Sequence, residues 1–326
     1  MRTSVICICV ITILAWSPVL AQDPANRADR VAFQQSDGEV LIQIDDESIA
    51  TYVYEDSEIP RSYFAHVKTP GGIQVTRNHP PVRGKDKRDH STMHPGIWMA
   101  FGDLDGADSW RNKAKVTHVR FLQAPNADAS GGGFVTEKHY LRPDGSLICK
   151  EQFRISIHLL PQEFPGPRGY LLVWDSTFSS DNEFYFGDQE EMGLGLRVAT
   201  PLSEVNGGKL HDSEGREGAK QIWSHAARWC DYSGVINDQK VGMTILCHPE
   251  NFRESWMHAR DYGFVAANPF GRNAMNKGKI SKVKVKPNES LRLRYAILVH
   301  SGSVSEDLVL EPSYKEYLRL AGQAND

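Results

Sequence analysis

The residues from Arg77 to Trp110 have the mix of types that chemistry requires. They read Arg77-Asn-His79, then Asp89-His-Ser-Thr-Met-His94-Pro-Gly-Ile-Trp98, then Phe101-Gly-Asp-Leu-Asp-Gly-Ala-Asp108-Ser-Trp110. A histidine next to an aspartate suits general acid–base catalysis, because the carboxylate selects one imidazole tautomer and moves its pKa. Asp89 and His94 are the acid–base candidates of this segment, and Arg77, His90 and Trp98 are its substrate-binding candidates. His90 and His94 would share a metal only if the segment turned one helical loop. Pro95, Gly96 and the lack of helical periodicity speak against that, so no metal or other cofactor is expected.

Two more clusters join this one. Asp188, Glu190 and Glu191 precede a strand-like run in which Leu194, Leu196 and Val198 share one face and Arg197 takes the other. A buried arginine facing carboxylates holds them ionised. Paired carboxylates serve as acid and base, or as nucleophile and acid, on a sugar. Glu190 and Glu191 are therefore catalytic candidates and Arg197 a binding candidate. The third cluster comprises Trp223-Ser-His225, Trp229-Cys-Asp231-Tyr-Ser-Gly234, His248-Pro-Glu-Asn251-Phe-Arg253 and Trp256-Met-His258-Ala-Arg260-Asp-Tyr262. Aromatic rings stack on the C–H faces of sugars while amides and guanidinium groups bind hydroxyls. His258 is a further acid–base candidate, and Trp229, His248, Asn251 and Arg260 are binding candidates. One or two of Trp223, Trp229 and Trp256 should line a pocket, and the others should be core.

Several templates are absent. Gly193-Leu-Gly195 leads to Arg197 without the third glycine of a dinucleotide loop, and no phosphate-binding loop, Gly-x-Ser-x-Gly elbow or His-Glu-x-x-His pair occurs.

The elements that must position these groups are strands. Val40, Ile42 and Ile44 alternate with polar residues, and an Asp45-Asp46-Glu47 turn leads to a second strand through Tyr54. Val283 and Val285, the turn Pro287 to Ser290, and the run Leu291, Leu293, Tyr295, Ile297 and Val299 read as a hairpin. Arg142-Pro-Asp-Gly145 is a turn before a long strand to Leu160, and Gly169–Phe178, Gly193–Thr200 and Val241–His248 are further strands. Asn126–Gly133 and Gly207–Gly218 read as polar loops. Helical spacing is confined to Tyr314, Tyr317, Leu318 and Ala321, with Pro312 before them and Gly322 as a stop. The fold class is all-β: a large antiparallel β-sandwich with long loops and a short C-terminal helix, formed as a single domain over 22–326.

The composition agrees. The chain has 326 residues, 40% of them hydrophobic, and a formal charge of -4. That charge, without a basic tract, argues against nucleic acid as partner. Arg2, the apolar run Val5–Trp16 and the small residues around Ala21 form an export signal over 1–21. The mature chain, periplasmic or secreted, has no membrane span and keeps Cys149, Cys230 and Cys247. Cys149 and Cys247 lie in apolar runs and read as buried small hydrophobes.

The chain resembles a family of exported bacterial proteins once labelled methane oxygenase PmoA and now treated as a domain of unknown function. Asp89-His90 through Trp98, Phe101-Gly-Asp with Trp110-Arg-Asn, Arg197, Trp229 to Gly234, His248 to Asn251, Trp256 to Gly263 and Asn268-Pro-Phe270 carry the resemblance. It is not a methane monooxygenase, whose subunit is an integral membrane protein. The strand layout is similar to the galactose-mutarotase-like supersandwich. That likeness implies a carbohydrate ligand on a concave sheet face, with a histidine and a carboxylate as acid and base. The expected function is a carbohydrate-active enzyme: a glycoside hydrolase, lyase or epimerase. The alternatives are a non-catalytic glycan-binding protein and a metal-dependent enzyme using His90 and His94, with His248 or Glu190 as third ligand.

Overall fold

The computed structural model describes residues 31–128 and 131–323. The export signal expected over 1–21 lies outside the described residues.

Alternating sequences lay down two eight-stranded antiparallel sheets. The first runs in the order β1 (Val31–Ser36), β2 (Glu39–Ile44), β3 (Glu47–Val53), β4 (Tyr63–Ala65), β5 (Ile97–Phe101), β11 (Met192–Arg197), β16 (Phe264–Asn268), β15 (Trp256–Arg260). The second runs β12 (Lys209–Asp212), β13 (Trp229–Ile236), β14 (Gln239–Cys247), β18 (Ser290–Ser303), β9 (Arg168–Ser179), β8 (Leu147–Leu159), β7 (Gly131–Leu141), β6 (Val116–Asp128). β10 (Phe184–Phe186) and β17 (Val283–Val285) form a small separate ladder. Two turns show why neighbouring strands meet. Asp45 and Asp46, at φ 50° and 67°, join β2 to β3, and Asn237 and Asp238, at 51° and 57°, join β13 to β14. Two consecutive positive φ values match the right-handed twist of flanking strands, and Asn and Asp tolerate them.

One hydrophobic core lies between the sheets. Ile42, Phe64, Ile97, Met99, Leu194, Leu196 and Val265 enter it from the first sheet, and Phe153, Leu172, Trp174, Met243, Tyr295 and Ile297 from the second. The intervening residues face outward, as strand geometry dictates. An ion pair is sealed inside: Lys138 Nζ lies 3.0 Å from Glu151, with both side chains almost wholly buried. Tyr140 and Ser176 also donate to that carboxylate, at 3.0 and 2.5 Å. The outer face of the second sheet is covered by helix α2 (Glu311–Gln323), whose Tyr314, Tyr317 and Ala321 pack on Leu171, Leu246, Ala296 and Leu298. A single α-turn, α1 (Ala219–Ile222), sits beside β15. Cys149, Cys230 and Cys247 are separate buried thiols.

Two expectations need correction. The Val283–Val285 strand does not form a hairpin with the strand after it. β17 pairs with β10, while β18 lies between β14 and β9. Alternation states which face a residue takes, not which strand it pairs with. Asn126–Gly133 is not mainly a loop, because all its described residues extend the β6–β7 ladder.

Candidate functional site

Outward residues of the first sheet form the floor of the site. Trp98 on β5, Arg197 on β11 and Phe264 on β16 are each at most 1% exposed, although they point away from the main core. The loop between β4 and β5 covers them. Gly195 makes the floor possible, since a Cβ there would lie 2.8 Å from the Trp98 ring.

Arg77 shapes the covering loop. Its guanidinium donates to the carbonyl oxygens of Lys87, Asp89, His90 and His94 at 2.7 to 3.2 Å. Arg61 adds bonds to the carbonyls of Met93 and Ser109 at 2.7 and 3.3 Å, and one to the Asn112 side chain. Each arginine satisfies backbone acceptors that no strand reaches.

His90 and His94 occupy a single helical turn, closed by a 2.9 Å bond from the His94 N–H to the His90 carbonyl. The turn forms in spite of Pro95 and Gly96, contrary to expectation. It stacks the two rings at 4.7 Å and 14°. Nitrogen lone pairs lie in the ring planes, so rings stacked this way do not converge on one ion. Among the described residues no group of three or more His, Cys, Asp or Glu is placed to hold a metal.

The two histidines have different environments. His94 is 3% exposed and stacks on Trp98 and Phe264 at 4.9 and 4.7 Å. Arg197 donates to its Nδ1 at 3.3 Å. Burial, reinforced by the neighbouring positive charges, holds its pKa far below the usual value, so His94 is a neutral packing group. The His90 side chain is 36% exposed, and its Nδ1 lies 3.0 Å from Asp89 Oδ2. Arg197 clamps that carboxylate through two bonds of 3.0 and 3.1 Å. Burial would raise the Asp89 pKa, but Arg197, His90 and Arg77 bring it down to about 2. An ionised Asp89 fixes the proton on Nδ1 and leaves Nε2 as the acceptor nitrogen of the ring. His90 also has φ 50°, a left-handed conformation that costs a non-glycine residue roughly 1 kcal/mol or more.

The second half of the site lies on β15 and the segment before β11. Glu190 Oε1 accepts from Trp223 Nε1 at 2.6 Å and from Arg260 at 2.7 Å, and it lies 3.3 Å from His258 Nε2. His258 Nδ1 faces the Glu190 carbonyl at 3.0 Å. Burial pulls the His258 pKa down, to about 4, against the pull of Glu190. The Glu190 pKa falls despite burial, because His258, Arg260 and Trp223 favour the carboxylate. Phe264 links the halves, with His94 stacked on its face and His258 edge-on at 4.9 Å.

Tyr262, in the turn between β15 and β16, completes the surface. Arg197 sits 4.4 Å above its ring, and the His90 ring lies parallel at 6.1 Å. The third sequence cluster ended at Tyr262 without giving it a role, although His258, Arg260 and Tyr262 follow a period of two that places them on one face.

Nine of the expected site residues come together here: Asp89, His90, His94, Trp98, Arg77, Arg197, Glu190, His258 and Arg260. Glu191 is nearby, paired with Arg111, which also holds Asp108 at 3.0 Å. It was Asp89 that paired with Arg197, not the carboxylates at 188–191. Asp188 instead caps the backbone N–H groups of Asn273, Ala274 and Ser281 at 2.6 to 3.1 Å. Trp229, His248 and Asn251 lie with the second sheet. Trp229 packs in the helix cluster, His248 is edge-on to Tyr317 at 5.8 Å, and Asn251 exchanges bonds of 3.0 and 2.7 Å with the Arg294 backbone.

The family of unknown function DUF6807 matches residues 39–311, which span both sheets and every residue of this cluster. The chain belongs to DUF6807. The oxygenase label carried by the resemblance above has no counterpart in this match. No curated protein matches the DUF6807 chain. Solved structures similar to it include one described as a candidate kojibiose phosphorylase from the human microbiome, at 9% identity and TM-score 0.35, covering 90% of this chain. A galactose mutarotase related enzyme from Lactobacillus acidophilus shows 11% identity and TM-score 0.31, covering 85% of this chain and 100% of its own. A beta-arabinopyranosidase shows 9% identity and TM-score 0.34, covering 82% of this chain. The chain spans only 32% of the phosphorylase and 38% of the arabinopyranosidase. The architecture given above rests on this chain's own strand order.

Proposed function

We propose that this DUF6807 protein is an exported carbohydrate-active enzyme in which His90 moves the proton. Asp89 sets the tautomer and orientation of His90, as a carboxylate does for a catalytic imidazole. Glu190 is the second carboxylate, and Arg260 and Tyr262 hold the sugar, the arginine through hydroxyls and the ring through C–H faces. The observation that supports this most is the half-exposed His90 imidazole, tied through Nδ1 to a carboxylate that is itself clamped by a buried arginine. This reading moves the acid–base role from His94, which is buried, to His90.

The test is mass spectrometry of oligosaccharide panels incubated with the mature protein, in parallel in oxygen-18 water and in heavy water. Oxygen label in shorter sugars reports hydrolysis, and deuterium on carbon reports a lyase or epimerase. The expected result is a mass change that His90→Ala and Glu190→Gln each abolish. Turnover that survives His90→Ala overturns the assignment. Sugar binding without any mass change favours the glycan-binding reading.

A further inference from the structure

Beyond this site, the outer face of the second sheet carries a cavity of about 290 Å³ between the β7–β8–β9 surface and α2. Register builds its polar floor. Arg154, Asp175 and Arg294 are directly opposite one another on β8, β9 and β18, so all three side chains take the same face. Asp175 is already engaged by Arg292 through bonds of 2.8 and 2.5 Å. Arg294, 7% exposed, is engaged by Glu250. Arg154 is left with no hydrogen bond or ion pair among the described residues, and it lines the cavity. The Tyr317 hydroxyl also lines it. That side chain is fully buried, yet its oxygen has no hydrogen-bond partner. A buried hydroxyl without a partner is rare in folded proteins and calls for a ligand or water. Val173, Leu320 and Ala321 add apolar lining beside the polar groups.

We propose that this cavity is a second binding site, for a single sugar ring bearing a carboxylate. The free guanidinium of Arg154 takes the carboxylate, for which its planar fork is suited. Tyr317 and Ser156 bond ring hydroxyls, and the apolar lining receives the C–H face. The volume accommodates one ring and not a chain.

Calorimetric titration of the mature protein with glucuronate, glucose and acetate tests the proposal. Glucuronate should bind saturably and at least tenfold more tightly than either glucose or acetate. Arg154→Gln should weaken it at least tenfold and Tyr317→Phe about threefold, while His90→Ala leaves it unchanged. Arg154 is exposed, so its replacement should leave the melting temperature in place, and a melting curve run beside each titration checks this. Glucuronate that does not bind, that binds no better than acetate, or that binds equally well to Arg154→Gln overturns the proposal. Binding lost in His90→Ala overturns it too, because the ligand would then occupy the first site.

Discussion

Asp89→Asn keeps the shape of the side chain and removes only its charge. The carboxylate it replaces receives two bonds from Arg197, a residue 1% exposed, and lies 3.7 Å from Arg77, also 1% exposed. These contacts bring its pKa from 3.8 to about 2. At about 1.4 kcal/mol per tenfold change, that displacement is worth about 2.4 kcal/mol. The Asp89 side chain is 23% exposed, so solvent screening reduces the figure to about 1 to 2 kcal/mol. The folded-state pKa is depressed, so the stabilisation is complete above about pH 4 and is lost as pH falls toward 2. Urea unfolding of both proteins, followed by tryptophan fluorescence at pH 7, 5, 4 and 3, measures the difference directly. Asp89→Asn should be less stable by about 1 to 2 kcal/mol at pH 7 and pH 5. By pH 3 roughly half of that gap should have closed, because the unfolded wild-type chain then binds a proton at Asp89 that the folded protein, with its pKa near 2, does not yet bind. A gap that stays constant from pH 7 to pH 3 would refute the reasoning, since it would trace the loss to shape and not to charge. A gap below about 0.5 kcal/mol at pH 7 would refute it as well.

Other outcomes follow from the packing. His94→Ala should cost about 2 to 4 kcal/mol in urea unfolding, since it empties a buried stack on Trp98 and Phe264; a loss under 1 kcal/mol would return His94 to a functional role. Glu151→Gln leaves Lys138 charged and unpaired in the core and should cost about 3 to 5 kcal/mol. Lys138→Met combined with Glu151→Gln should recover most of it, and a double variant no better than the single one would contradict the pairing. Gly195→Ala forces a Cβ against the Trp98 ring and should cost about 1 to 3 kcal/mol, with a change in near-ultraviolet circular dichroism as the ring shifts; an unchanged spectrum would show that the floor yields.

The sheets were legible because burial on one side imposes a period of two. Val40, Ile42 and Ile44 all turned inward, as did Leu291, Leu293, Tyr295, Ile297 and Val299. Partner choice was not legible, because it depends on where distant segments lie, and so β17 joined β10. The site shows the same division. His258 and Arg260 sit two residues apart on one strand, and local spacing alone puts them on one face. His90 and His94 are four residues apart with similar neighbours in sequence. Only Trp98, Phe264 and Arg197, from three different strands, decide which imidazole is buried. Trp229, His248 and Asn251 were grouped with His258 because they are near in sequence. Between Cys247 and Trp256, however, the chain crosses from one sheet to the other.

Arg77 donates hydrogen bonds to four carbonyl oxygens of the segment from Lys87 to His94, and to none of its side chains, although the Asp89 carboxylate lies 3.7 Å away as an ion-pair partner. The course of that segment is therefore insulated from much of its own spelling. Residues such as Lys87, Arg88, Ser91 and Thr92 can be exchanged while the main chain under them keeps its path, so the rim of the site is open to change. Arg77 has no such latitude, because a lysine at that position lacks the fork that reaches four acceptors at once. Variation among relatives should accordingly concentrate on the rim and stop at Arg77. A combinatorial library confined to those rim positions would explore specificity on a scaffold that still folds.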